Sequence, residues 1–185
     1  RMFIQEAINL NVDTHILDPD ENAPCKDIAT SFTVGSLKDF DTVYNFGKDK
    51  DLVTIEIEHV NVEALKKLES EGITVYPQPD ILELIQDKGL QKEFYKGKNI
   101  PTAPYFLVKD KSEIEQYREH FPFFQKLRKG GYDGRGVQKL DNPDSCLEQA
   151  FEKPSVLEQL VDFEKELSVI VARNPKGETK AFPLV

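Results

Sequence analysis

Cysteine is scarce in this chain of 185 residues: there are two, Cys25 and Cys146, far apart in sequence. Neither has a Cys or His at metal-ligand spacing, so neither a disulfide framework nor a zinc site is indicated, and reduced thiols in a cytoplasmic protein are expected. Positive charge is also in deficit. There are 24 Lys and Arg against 33 Asp and Glu, for a net charge of −9 and a pI near 4.9. Nucleic-acid affinity comes mostly from neutralising phosphates with Lys and Arg, so no nucleic-acid partner is expected. No apolar run approaches the roughly 18 residues that span a bilayer, and no charged-then-apolar segment opens the chain. A soluble, unexported protein with no membrane partner is therefore expected. An initiator Met is missing too: "RMFIQEAINLN" opens as the middle of a helix and "AFPLV" closes as a strand, so a fragment is expected.

What remains is ordinary globular material, 39% hydrophobic and 31% charged, enough for one large domain or two small ones with a real core. The first half alternates helix and strand in short units, the pattern of an α/β, Rossmann-like parallel sheet covered by helices. "VDTHILD", "TSFTV", "DLVTIEIEHV" and "ITVYP" read as strands, the third being the strongest. Leu37, Phe40, Val43 and Tyr44 recur at helical spacing, Asn61 caps "VEALKKLESE", and Gly72 closes it. A further helix runs from Asp80 to Lys96. A sheet that starts on a helix lacks its first strand, which in a doubly wound fold would face the ligand.

Dense punctuation at Gly97, Pro101 and Pro104 marks a domain boundary near residue 102. Beyond it come a strand from Tyr105 to Val108 and a helix opened by Ser112, with Glu115 completing a capping box. Strand "FFQKL", a glycine loop, strand "VQKL", a helix from Pro143 to Phe151, strand "SVLEQLV", then "ELSVIVAR" and "AFPLV" around the "NPKG" turn complete the chain. Phe121, Phe123 and Phe124 read as core, and His15 and His120 as surface or packing residues.

The loop "RKGGYDGRGV", residues 128 to 137, holds four glycines (Gly130, Gly131, Gly134, Gly136) and three cations (Arg128, Lys129, Arg135). Residues without Cβ let several backbone N–H groups converge on one anion. The loop lacks the Lys-Ser/Thr of a Walker A motif and joins two strands, so neither the P-loop nor the dinucleotide fingerprint applies. Protein kinases fold a similar flap over ATP, yet no H-R-D or D-F-G element is present. Lys126, on the entering strand, would supply a point charge for the phosphates, and Glu158 in "VLEQLV" could take the adenine amine or the ribose. A flexible, solvated hairpin tip is the alternative. Tyr132, Asp133 and Arg135 argue against it, because a passive tip has no reason to set an aromatic, a carboxylate and a guanidinium among glycines.

A second constellation, Glu56, Glu58 and His59, sits at the carboxyl end of the strongest strand, where open α/β sheets bind ligands. Alternation puts Glu56 and Glu58 on one face, opposite Ile55 and Ile57. An edge strand with a charged solvent face reads equally well.

In order along the chain, Arg1-Met2, "TIEIEHV", "IPTAPY", "GGYDGRG" and "LEQLVDFEKELSVIVAR" resemble segments of the ATP-grasp superfamily, and within it the carboxyaminoimidazole ribonucleotide synthetases of purine biosynthesis. The Tyr-Asp-Gly-Arg-Gly run is the specific part. The resemblance implies a pre-ATP-grasp domain over 1–102, a small nucleotide-lid subdomain over 103–163, and the start of a larger ATP-grasp subdomain over 164–185. It implies that Lys88, where the family usually has Arg, and Lys126 contact the nucleotide, with Gly131, Tyr132, Asp133, Gly134, Arg135, Gly136 and Val137 as the flap over the triphosphate. Glu158, Gln159, Leu160 and Val161 resemble the adenine hinge, and Glu166 the carboxylate on the ribose. Tyr132, Asp133, Arg135 and a Glu of the "EIEHV" strand, Glu56 before Glu58, would face bicarbonate and aminoimidazole ribonucleotide.

The implied reaction is ATP-dependent carboxylation through carboxyphosphate by a cytoplasmic homodimer. In the family, Mg²⁺ ligands and the main ribonucleotide-phosphate contacts lie beyond residue 185, so the chain alone is expected to be inactive. Another ATP-grasp carboxylate–amine ligase and a non-enzymatic nucleotide-binding module stay open as alternatives.

Overall fold

The computed structural model describes residues 1–131 and 134–185. The first half contains α1 (Met2–Asn9), β1 (His15–Asp18), β2 (Ser31–Val34), α2 (Phe40–Gly47), β3 (Leu52–Thr54), α3 (Val62–Ser70), β4 (Thr74–Tyr76), α4 (Pro79–Gln86) and α5 (Lys88–Gly97). Strands β1 and β2 pair in parallel, as do β3 and β4. Among the described residues these are two separate pairs, not one continuous sheet.

Helix α3 shows why the core sits where it does. Asn61 accepts from the Ala64 amide at 2.9 Å, which fixes the first turn, and Gly72, at φ +92°, lets the chain leave after the last. Between these ends Ala64, Leu65 and Leu68 are fully buried. They pack with Val43 of α2, Val53 of β3, Val75 of β4 and Leu82 of α4. Each leucine removed from water in this way is worth about 2 kcal/mol.

The second half folds around a four-stranded antiparallel sheet of β5 (Tyr105–Val108), β6 (Phe123–Leu127), β7 (Val137–Leu140) and β8 (Ser155–Gln159), in the order β5-β8-β6-β7. One face buries Phe123 and Leu157 with Ile114 and Ala150 from the 3₁₀ turns and α6 (Pro143–Cys146) region. On the same face the fully buried Gln125 is satisfied on both sides. Its Oε1 accepts from Gln138 Nε2 at 2.7 Å and the Phe151 amide at 2.9 Å, and its Nε2 donates to the Phe151 carbonyl and Ser155 Oγ, each at 3.2 Å. Gln125→Leu keeps the volume but strands those partners, so a loss of about 2 kcal/mol is expected, read as a lower urea midpoint at unchanged slope.

Successive residues alternate faces, so Phe124 and Lys126 of β6 point away from that core. The register sets Glu158 opposite both Phe124 and Tyr105, and Val156 opposite Lys126, on this second face. Beyond β8 the chain carries only the hairpin β9 (Val171–Arg173) and β10 (Thr179–Ala181), and residues 160–185 are exposed throughout.

Several expectations need correction. The strand read through "DLVTIEIEHV" ends at Thr54. Its partner β4 stops at Tyr76, where Pro77 has no N–H to extend the ladder, so the alternation assigned to Glu56 and Glu58 has no strand beneath it. The single helix from Asp80 to Lys96 is two helices, broken at Asp87, whose extended backbone and carboxylate cap α5 through the amides of Gly89 and Leu90. The helix expected at Ser112 is a pair of 3₁₀ turns capped two residues earlier, with Asp110 accepting from the Ser112 amide. Pro143–Phe151 contains one α-turn and a 3₁₀ turn. Phe124 is not core; it is 38% exposed on the open face of the sheet.

Candidate functional site

The open face of the second sheet carries a carboxylate held by two ammonium groups. Lys126 Nζ lies 2.5 Å from Glu158 Oε2, and Lys92 Nζ, from α5, lies 2.9 Å from Glu158 Oε1. Lys92 also donates to Thr102 Oγ1 at 2.5 Å and sits 5.7 Å from the centroid of the Tyr105 ring. Burial alone would raise the Glu158 carboxyl, but the hydrogen bonds from Lys126 and Lys92 outweigh it and hold the group below its ordinary range. Next to it, Tyr105 is pushed up to about 12, by burial first and then by its hydrogen bond to Glu93 at 2.7 Å. Within the Lys126–Glu158–Lys92 cluster two cations face one carboxylate, a local positive excess that suits a phosphate, with the Glu93 carboxylate held apart on Tyr105.

The stem of the glycine loop is fastened to the start of α5. Arg128 makes a bidentate pair with Asp87, Nε to Oδ1 and Nη2 to Oδ2, both at 2.8 Å. Its carbonyl accepts from the Lys88 amide at 2.9 Å, and its own amide donates to the Pro154 carbonyl at 3.0 Å. Burial would raise the Asp87 carboxyl; the Arg128 guanidinium and the two capping amides reverse that and depress it. Lys88 Nζ reaches the Gly131 carbonyl at 3.2 Å. Gly131 is required where it stands, because a Cβ there would lie 2.8 Å from the Arg135 carbonyl oxygen. A cavity of about 390 Å³, lined by Asp87, Leu127, Arg128, Lys129, Lys153 and Pro154, opens beside the stem. A larger one of about 810 Å³ follows the link from Asn99 to Leu107 and is lined by neither Lys126 nor Glu158.

The structure thus brings Lys126 together with Glu158, and Lys88 together with Gly131. Gln159 donates its amide to the Pro104 carbonyl at 2.9 Å, while Leu160, Val161 and Glu166 are exposed beyond β8. Gly134, Arg135 and Val137 are exposed and Gly136 is half-buried. Tyr132 and Asp133 lie outside the described residues. Glu56 and Glu58 are exposed on the segment after β3. Asp87, Lys92, Thr102 and Phe124 were not found by sequence reasoning. For Lys92 the pattern misleads, since Leu90 and Phe94 look like the apolar face of α5 yet are 41% and 38% exposed, whereas Gly89 and Lys92 are buried.

Residues 1–86 match the ribonucleotide synthetase preATP-grasp domain, and residues 93–185 match the ATP-grasp domain. The whole chain is 35% identical to part of the bifunctional purine synthesis protein purC/E of Dictyostelium discoideum, covering 19% of it. It is 32% identical to N5-carboxyaminoimidazole ribonucleotide synthase of Staphylococcus epidermidis, covering 50% of that protein. The chain therefore spans half or less of the length of these curated relatives. Among solved structures, N5-carboxyaminoimidazole ribonucleotide synthetase from Thermotoga maritima superposes with a TM-score of 0.88 at 39% identity, over 99% of this chain and 49% of that one. The Aspergillus clavatus N5-carboxyaminoimidazole synthase in complex with ADP and 5-aminoimidazole ribonucleotide superposes with a TM-score of 0.87 at 30% identity, over 100% and 49%. Pre-ATP-grasp and ATP-grasp folds stand side by side in one polypeptide, and the chain belongs to the ATP-grasp family.

Proposed function

We propose that this chain is the nucleotide-binding half of a ligase that uses ATP to carboxylate the amine of 5-aminoimidazole ribonucleotide with bicarbonate. The observation that carries the reading is the Lys126–Glu158–Lys92 cluster on the open face of the sheet from which the glycine loop springs. Lys126 neutralises the α and β phosphates, and the backbone of Gly131 to Val137 closes over the triphosphate. Phe124 offers the base an apolar contact. The hinge from Glu158 to Val161 reads the adenine through the Glu158 carboxylate and backbone groups, and Glu166 takes the ribose hydroxyls.

A bicarbonate oxygen attacks the γ-phosphorus and ADP leaves, giving carboxyphosphate. The exocyclic amine of the ribonucleotide then attacks the carboxyl carbon, forming the carbon–nitrogen bond as phosphate departs and carries off the proton the amine loses. By the family resemblance Tyr132, Asp133, Arg135 and Glu56 would act on these two substrates, and a loop closing over carboxyphosphate would exclude the water that hydrolyses it. Magnesium would share the triphosphate charge. Among the described residues no group of three or more His, Cys, Asp or Glu side chains could hold a metal.

The domain division at residues 102 and 163, a homodimer and a cytoplasmic location belong to the same reading. They rest on the family resemblance. Sedimentation of the full-length protein tests the dimer.

The test of function is ADP release by the full-length protein with Mg-ATP at fixed bicarbonate, with and without aminoimidazole ribonucleotide. Strong stimulation by the ribonucleotide is expected, lost in Asp133→Ala while ADP binding persists. Equal release in both reactions removes the ribonucleotide from the reading and leaves another ATP-grasp carboxylate–amine ligase. The 185-residue chain by itself is expected to bind nucleotide without turning it over.

A further inference from the structure

We propose that Lys92 is a positioning residue that keeps Glu158 neutralised while Lys126 moves from that carboxylate to the phosphates of the bound nucleotide. The inference rests on the nucleotide reading above. Lys126 and Lys92 bind different oxygens of Glu158, Oε2 and Oε1, so one can leave without disturbing the other. Their surroundings differ in the sense the exchange needs. The Lys92 side chain is 9% exposed and is tied at its far side to Thr102 Oγ1 and the Tyr105 ring, whereas Lys126 is 29% exposed on the face that receives the ligand. Lys92 is the fixed counter-ion and Lys126 the movable one.

The energetics explain why two cations serve one carboxylate. The Glu158 side chain is only 14% exposed, and a buried charge stripped of its sole partner is strongly destabilising. With Lys126 as the single partner, each nucleotide bound would leave such a charge behind, and phosphate binding would be weakened by that penalty. With Lys92 in place, Lys126 departs and the carboxylate stays paired. The cost of holding Lys92 buried is present with and without ligand, so it cancels from the binding equilibrium. The anchor at Thr102 also makes the link between the two halves of the chain part of the phosphate site.

The experiment is titration of the full-length protein with ADP and, separately, with adenosine, which has the base and ribose but no phosphate. Lys92→Gln is expected to weaken ADP about tenfold, equivalent to about 1.4 kcal/mol, while adenosine is unchanged. Lys92→Arg is expected to restore ADP binding. In a Glu158→Gln background, where there is no carboxylate to neutralise, adding Lys92→Gln is expected to leave ADP affinity unaltered. Equal weakening of ADP and adenosine, or no weakening of either, overturns the proposal. Should Lys92→Gln fail to fold, Glu158→Gln alone decides. It releases Lys126, so ADP is expected to tighten relative to adenosine, and an unchanged ratio overturns the exchange. A wild-type protein that binds neither ligand removes the nucleotide reading itself, a different failure from either of these.

Discussion

Lys126→Met is expected to cost about 100-fold in ADP affinity while leaving the fold in place. Charge-assisted hydrogen bonds contribute about 1.5–3 kcal/mol each, and a lysine on the α and β phosphates makes at least one of them. A loss of about 3 kcal/mol is the corresponding hundredfold. The fold is spared for a reason visible in the structure: Glu158 retains Lys92 on its other oxygen, so removing Lys126 does not bury a naked carboxylate. ADP titration together with a thermal melt checks both halves. A variant that binds ADP as the wild type does would remove Lys126 from the phosphate site. One that melts far below the wild type would make the lysine structural instead.

The second large effect is expected at Asp87, and it is one of stability. Asp87→Ala removes the bidentate partner of Arg128 and the cap of α5 in one change, and Arg128 is left facing a hole where its carboxylate stood. Breaking a buried ion pair from one side costs about 3–5 kcal/mol, with the lost cap contributing about 1 kcal/mol of that disturbance. Asp87→Asn keeps an oxygen for the Gly89 and Leu90 amides but not the charge, so it should fall between wild type and alanine. Urea unfolding orders the three. If alanine and asparagine are equally mild, the Arg128 pair is not holding the loop stem to α5.

The same carboxylate sets the acid sensitivity. Asp87 and Glu158 both titrate below the ordinary carboxylate range in the folded chain, because in each case cationic hydrogen bonds outweigh burial. A depressed folded value contributes stability that is complete above the unfolded value, about 4, and is lost as pH falls through the folded one. The melting temperature should therefore drop steeply below about pH 4. Asp87→Asn should flatten that slope.

Where the sequence was legible, the physics was local. Asn61 and Gly72 bound α3 because capping and a left-handed exit involve only the residues beside them. Strands Phe123–Leu127 and Val137–Leu140 fall where alternation and the glycine loop put them, since a loop between two strands fixes their pairing. Where it was not legible, a distant partner decided. The length of β3 depended on β4 ending before Pro77, which no window around Glu56 can see. At Asp87 the same carboxylate that caps α5 locally also holds a guanidinium 41 residues away, a pairing no local window shows. Phe124 looked like core by composition and is partly exposed because alternation along β6 turns it away from the Phe123–Leu157 core.

By itself the sequence determined the domain types, the glycine loop, and Lys126 with Glu158 as candidates for handling a nucleotide. The domain types came through the family resemblance of its motifs; for the loop and the two side chains residue type and spacing are enough, because a phosphate-binding loop needs glycines and a nearby cation at particular points of the chain. Tertiary structure alone decided what stands around them: that Glu158 is shared between two lysines, that Arg128 is locked to Asp87, and that a lysine instead of a leucine faces inward from α5. Burying a charge is unfavourable until its partner arrives, and each partner here arrives from a distant part of the chain.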